Sequence, residues 1–258
     1  MLLPGLVSIS FRNLTVSEII ELCRANRLTA IEWGGDVHVP HGDIDIATKT
    51  GDAARAAGLI VAAYGSYYRC DSEADQPDFE AVLASARALQ APVIRVWAGT
   101  TGSAVTAVDK REAITDDLRR IGQLAADQNI EIGIEYHANT LTDDPDSALA
   151  LIQAIDHPNV KLYWQSSNGK SADYSLAVLK KLLPYVSHLH AFHWIFSGDT
   201  FDRRPLSEGQ SDWHRYLEVV ATSPRPNRAI MLEFVRDDSP EQLAIDAKSL
   251  HDFVNTSD

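Results

Sequence analysis

Eight short apolar runs are spaced along the chain: LVSIS (6–10), TAIEWGG (29–35), LIVAAYG (59–65), PVIRVWAG (92–99), IEIGIEYH (130–137), VKLYWQ (160–165), VSHLHAFHW (186–194) and AIMLEFV (229–235). No run exceeds nine residues, and Val, Ile and aromatic side chains dominate, which predicts strands. Between the runs, apolar residues recur at helical spacing, as at Ile19, Ile20, Leu22 and Cys23, and again at Leu118, Ile121, Leu124 and Ala125. Helix start signals sit where this periodicity begins. Thr15 to Glu18 spells a capping box, in which hydroxyl and carboxylate each satisfy an exposed N–H of the first turn. Asp144-Pro145 and Ser239-Pro240 each place a cap residue before a proline at the first helical position.

Eight strand–helix units, starting about thirty residues apart, use nearly all of the 258 residues. No Pro/Ser/Gly-rich linker separates them. Residues 1–258 are therefore expected to form one α/β domain, a single (β/α)8 TIM barrel. The rival, a doubly wound open sheet, usually carries a Gly-rich phosphate turn after its first strand, whereas SISFRNLT follows here.

Composition narrows the function classes. Hydrophobic residues at 45% and charged residues at 23% exclude a disordered tail, a fibre and a disulfide-stapled module. A net charge of -13 argues against a nucleic-acid partner, which needs a basic face. The two cysteines, Cys23 and Cys70, form no CxxC, and this fits a reducing compartment. Pro4-Gly5 breaks the apolar start, and no window nears the ~18 apolar residues of a membrane span. The expectation is a cytoplasmic protein with no membrane partner.

Barrel chemistry gathers at the C-terminal ends of the strands. The fifth predicted strand ends in Glu135, the sixth in Gln165, the seventh carries His188 and His190, and the eighth ends in Glu233. Residues two apart share a face of a strand, so four consecutive strands offer Glu, Gln, His and Glu to one mouth. Oxygen and imidazole donors without thiolate suit Mn²⁺, Mg²⁺, Co²⁺ or Zn²⁺. Taken singly, each has a plainer reading: a solvated rim glutamate, or a hydrogen-bonded core histidine, which is the expectation for His188.

With VIRVWAG, IGIEYH, HLHAF, RRPLSEGQSDWHRYLEVV and MLEF, the sequence resembles the sugar phosphate isomerase/epimerase superfamily over nearly its whole length. These are the xylose isomerase-like TIM barrels, among them tagatose/psicose 3-epimerases, hydroxypyruvate isomerase, inosose isomerase and dehydratase, and an apurinic endonuclease branch. The resemblance implies one divalent metal ion held by Glu135, Gln165, His190 and Glu233. The second position, normally Asp, is an amide in this chain. It further implies Glu135 and Glu233 as the catalytic acid/base pair, moving a proton next to a carbonyl through an enediolate. Substrate contacts are expected from Asn168, Arg203, Glu32, His38, Trp97 and Trp33. Tyr67, Tyr68 and Arg69 are weaker candidates, and His137 and His193 are expected to orient ligands.

The leading expectation is thus an isomerase or epimerase of a small sugar, polyol or keto acid. A dehydratase of the inosose or dehydroshikimate type is the alternative, and an inactive sugar-binding relative is a third. The endonuclease branch is disfavoured by charge. A homodimer is compatible with the resemblance.

Overall fold

The computed structural model describes residues 2–71, 77–197 and 200–255. Eight parallel strands close into a barrel: β1 (Leu3–Val7), β2 (Ala30–Gly34), β3 (Ile60–Arg69), β4 (Val93–Trp97), β5 (Glu131–Glu135), β6 (Val160–Trp164), β7 (Val186–Ala191) and β10 (Ala229–Leu232), the last pairing back to β1. An antiparallel hairpin, β8 (His193–Ser197) with β9 (Thr200–Arg204), rises between β7 and the seventh helix. The outer ring comprises α1 (Val16–Ala25), α2 (Ile44–Ala56), α3 (Phe79–Leu89), α4 (Val108–Ala126), α5 (Pro145–Ile155), α6 (Ala172–Leu182), α7 (Gln210–Ala221) and α8 (Pro240–Asn255).

Local sequence accounts for the helix starts. The Thr15 hydroxyl accepts from Glu18 N while Glu18 accepts from Thr15 N, which closes the capping box. Asp144 accepts from Asp146 N and Ser147 N ahead of Pro145. Ser239 Oγ accepts from Gln242 N at 3.2 Å. Each cap satisfies N–H groups that a helix end leaves open.

Strand alternation sorts the core into two shells. Outward residues such as Ile31, Trp33, Ile94, Val96, Ile134 and Trp164 pack under the helices. Inward residues are fewer and smaller: Val7, Ala30, Ala62, Ala63, Val93, Ala229 and Met231, with the single large ring of Tyr163. Gly133 faces that ring, since a Cβ there would lie 2.5 Å from Tyr163 Cε1. Small inward residues leave room for the large polar side chains nearer the mouth.

Three expectations need correction. The first strand runs over 3–7, and residues 8–11 turn instead into a short 3₁₀ helix. There Ser8 Oγ leaves the strand pattern, accepting from Gly34 N at 2.9 Å and contacting His38 Nδ1 at 3.0 Å. The third strand continues four residues further, to Arg69, with Tyr67 at φ +58°. The seventh run is two strands, because β7 leaves the barrel after Ala191 and the chain enters the hairpin. Among the described residues, no helix is long and apolar enough to cross a membrane.

Gly5 is an inward position hemmed in by backbone. A Cβ there would meet the backbone oxygen of Ala30 at 2.6 Å, on the neighbouring strand. Backbone cannot step aside as a side chain can, so Gly5→Ala should destabilise the barrel by about 1–3 kcal/mol. Urea unfolding should show a lower midpoint with an unchanged slope.

Candidate metal centre

Barrel stagger brings the four sequence-marked residues to one level. Glu135 pairs with Tyr163, Tyr163 with His188, and His190 with Met231. Two residues beyond Tyr163 is Gln165, two beyond His188 is His190, and two beyond Met231 is Glu233. β5, β6, β7 and β10 are consecutive around the barrel, so the donors are contributed by neighbouring strands.

Glu135, His190 and Glu233 each offer a ligand atom within 4.8 Å of the others, and all three are buried. His190 Nδ1 lies 3.3 Å from Glu233 Oε2 and 3.6 Å from Glu135 Oε1, yet hydrogen-bonds to neither. His190 Nε2 reaches Glu32 Oε2 at 3.4 Å, which directs one ring proton at Glu32 and leaves Nδ1 facing the cluster. Gln165 Nε2 donates to the Tyr136 carbonyl at 2.9 Å. That carbonyl accepts only, so the amide's oxygen is turned the other way. Gln165 Oε1, His190 Nδ1 and Glu233 Oε2 are all buried without a hydrogen-bond partner. Orphaned buried acceptors are costly. Glu135, His190 and Glu233 converge as hard-oxygen and imidazole donors, the set that a divalent cation takes, so these residues fit one.

Beneath the cluster lies an ion-pair network that sequence reading missed. Arg95, 2% exposed in the middle of β4, donates through Nε to Glu32 Oε1 at 2.7 Å and through Nη1 to Glu135 Oε2 at 2.5 Å. Trp97 Nε1 donates to the same Glu135 oxygen at 2.6 Å. Gly65 makes the space, because a Cβ there would sit 2.8 Å from both Arg95 Nη2 and Glu32 Oε1. The available signal was a charged residue at an inward position of VIRVW. Burial alone would raise the carboxyls of Glu135 and Glu32, but Arg95 and His190 outweigh it and hold both below the usual range. Burial would likewise lower His190, but Glu233 and Glu32 raise it well above its ordinary value. With a cation in place of the second proton that this keeps on His190, three buried carboxylates against one guanidinium leave two negative charges, which one dication balances.

The remaining candidates separate. Trp97 is at the mouth, edge-on to Tyr67 at 5.0 Å and stacked under the Arg69 guanidinium at 4.0 Å. Tyr67 OH accepts from Arg12 at 2.7 Å, and its left-handed backbone turns its ring toward Arg95 and Trp97. Asn168 is exposed, lining a polar recess with Tyr136, Ser166, Lys170 and Gln165. Four expected substrate contacts are not placed as such. Glu32 is wholly buried with both oxygens engaged by Arg95 and His190. Trp33 faces the helix shell, not the barrel interior, because it sits one residue out of phase with Glu32. His38 is spent on Ser8 Oγ and the Leu14 carbonyl. Arg203, on the hairpin, pairs with Asp238 at 2.7 Å and lies over Phe234.

The other histidines follow their surroundings. His188 is the core residue expected: Nδ1 accepts from Ala229 N at 2.9 Å, and burial lowers its pKa to about 3. His137 is half-buried beside Trp97, and its Nδ1 bonds the Ala138 carbonyl at 2.7 Å. With the proton on Nδ1, the Nε2 lone pair has no protein partner among the described residues. His193 opens the hairpin with its ring against Gly209 and lines a recess with Asn168 and Trp194.

Comparison with known proteins agrees with this architecture. The sequence family described as xylose isomerase-like TIM barrel matches residues 19–252. A 3-dehydroshikimate dehydratase of Bacillus anthracis is 34% identical over 112 residues, which is 41% of this chain. The match spans only 38% of that relative's length. Among solved structures, the probable 3-DHS dehydratase of Bacillus anthracis involved in petrobactin synthesis superposes with a TM-score of 0.79, at 22% identity over 97% of this chain and 99% of that one. D-psicose 3-epimerase, solved in the presence of D-fructose, gives 0.69 at 16% identity over 96% of each chain. A xylose isomerase-like TIM barrel protein from Mycobacterium smegmatis, in complex with magnesium, also gives 0.69 at 16% identity, over 96% of this chain and 91% of that one. At these identities the structural likenesses speak for the fold.

Arg95→Met would leave Glu32 and Glu135 buried without their cation, a loss of about 3–5 kcal/mol. Adding Glu32→Gln to that variant should restore part of it, read as a rise in the urea midpoint of the double variant over the single one. His188 yields a pH dependence. Between an unfolded value near 6.5 and a folded value of about 3, the unfolded chain holds a proton that the folded chain lacks. Stability should therefore fall as pH drops through that window, and His188→Asn should flatten the slope of thermal midpoint against pH.

Proposed function

Because the chain belongs to the xylose isomerase-like TIM barrel family, we propose that it is a divalent-metal-dependent dehydratase that removes water from a small hydroxyketone. Glu135, Gln165, His190 and Glu233 would hold the cation. When bound, the cation supplies a Lewis acid that polarises the substrate carbonyl and acidifies the neighbouring C–H.

The observation that carries elimination over epimerisation is the asymmetry of the two cluster glutamates. Epimerisation needs an acid and a base on opposite faces of one carbon. Glu135 is poorly suited to the acid role, since Arg95 and Trp97 occupy its Oε2 and Arg95 keeps it ionised, with no proton to give. Elimination needs one proton acceptor and a leaving hydroxyl. His137 has the form of such an acceptor: its Nδ1 proton is committed to Ala138, and its Nε2 lone pair lies open beside Trp97. In this reading His137 Nε2 takes the proton next to the carbonyl and returns it to the departing hydroxyl as water leaves. Arg95 holds Glu135 in place through the cycle, and Glu32 orients His190. The partial match to a 3-dehydroshikimate dehydratase supports the same class and suggests the first substrate to try.

The isomerase reading keeps a specific observation of its own. Glu233 Oε2 has no hydrogen-bond partner, so it is a second group able to carry a proton on one face. The two readings part on product.

With Mn²⁺ and 3-dehydroshikimate, dehydration should appear as a new, longer-wavelength ultraviolet band as the enone becomes an aromatic product. His137→Gln should lower turnover at least about 10²-fold with Mn²⁺ affinity unchanged, whereas Glu233→Gln should lower both. Deuterium gained from D₂O at the carbon beside the carbonyl of a ketose, without that absorbance, would instead support isomerisation. Full turnover by His137→Gln would remove His137 from the mechanism.

A further inference from the structure

Gln165 is the only neutral side-chain amide in the cluster, and its orientation is set chemically. The Tyr136 carbonyl accepts from Nε2 at 2.9 Å, a place that a carboxylate oxygen would find repulsive. Oε1 is left buried and unpartnered, with the residue 6% exposed. The position thus specifies an amide, and a carboxylate there would lose the donor that locks it.

Charge gives the amide a consequence. Glu32 and Arg95 cancel as a buried pair at 2.7 Å. Glu135 and Glu233 then balance one dication, with His190 beside them and neutral Gln165 offered from just past the intervening strand β6. The loaded centre carries no net charge, and a carboxylate at 165 would make it negative. Charges a few ångströms apart in a buried site interact far more strongly than in water. A neutral loaded centre therefore tolerates one incoming oxygen anion that a negative centre repels. Lys170 lines the recess beside Gln165 and, among the described residues, has no carboxylate oxygen within 4.0 Å; its ammonium sits 5.6 Å from the Tyr174 ring.

We propose that Gln165 is a specificity-determining neutral ligand that tunes the centre for a substrate arriving as an oxygen anion. The class is an α-hydroxycarboxylate, or an α-hydroxyketone in its ionised form. The inference rests on the reading of the cluster as a divalent cation site. In structural terms, Tyr136 chooses the amide and the amide sets the charge.

The experiment is calorimetric titration of the metal-free protein with Mn²⁺, then of the loaded protein with glycolate, for wild type, Gln165→Leu and Gln165→Asp. Gln165→Leu should bind Mn²⁺ at least about tenfold more weakly, as loss of an oriented ligand requires. Gln165→Asp, too short to press on the Tyr136 carbonyl, should bind Mn²⁺ at least as tightly as wild type and glycolate at least about tenfold more weakly. Circular dichroism checks that each variant is folded; should Gln165→Asp fail to fold, loaded wild type is titrated with glycolamide, the neutral counterpart of glycolate, and binding as tight as that of glycolate would overturn the charge argument. Wild-type affinity for Mn²⁺ in Gln165→Leu would remove Gln165 as a ligand. Equal glycolate affinity in the acidic variant, or none in loaded wild type, would overturn the charge argument while leaving the metal centre standing. Absence of Mn²⁺ binding in wild type would overturn the underlying reading of the site along with it.

Discussion

A guanidinium at the centre of a barrel strand is the constraint on which the functional end of this molecule depends. Arg95 is held between Glu32 and Glu135, with all three side chains nearly sealed from solvent. Removing an ion from water costs several kcal/mol even after relaxation, so none of the three is tolerable alone. Together they form a small charged block whose Coulomb attraction and directed hydrogen bonds offset desolvation. Hydrophobic packing fixes the strands, but this block fixes which way the polar side chains at the mouth point.

The chemistry inherits its geometry from that block. Glu135 is immobilised as an anion by Arg95 and Trp97, and Glu32 reaches across to orient His190. Three acceptors are left buried without hydrogen-bond partners, an amide oxygen, an imidazole nitrogen and a carboxylate oxygen, the last two 3.3 Å apart. Unsatisfied acceptors gathered in one buried place are expensive in a folded protein, and their persistence is what marks the place as a site. The same anchoring sets the two cluster glutamates apart, although they look equivalent in the sequence.

The barrel was legible because its signals are local and repeated. Apolar runs of strand length, helical periodicity and caps such as Thr15 and Asp144 each depend on near neighbours. Errors fell where distant contacts decide. Ser8 left the strand to serve Gly34 and His38, and the seventh run divided because its second half pairs with β9. Trp33 and Glu32 were grouped as mouth residues, but adjacent residues on a strand face opposite ways, and only one enters the barrel.

By itself, the sequence determined the period of the fold and the order of donors, Glu135, Gln165, His190 and Glu233, on successive barrel strands. Both follow from periodicity along the chain and from the rule that barrel chemistry lies at strand ends. Only the tertiary structure decided what the donors are free to do. It alone brings Arg95 to Glu135, Glu32 to His190 and the Tyr136 carbonyl to Gln165, contacts that span 40, 158 and 29 positions of sequence. The charge and hydrogen-bonding state of a buried group depends on what surrounds it in space, and linear order carries no record of those surroundings until the barrel closes.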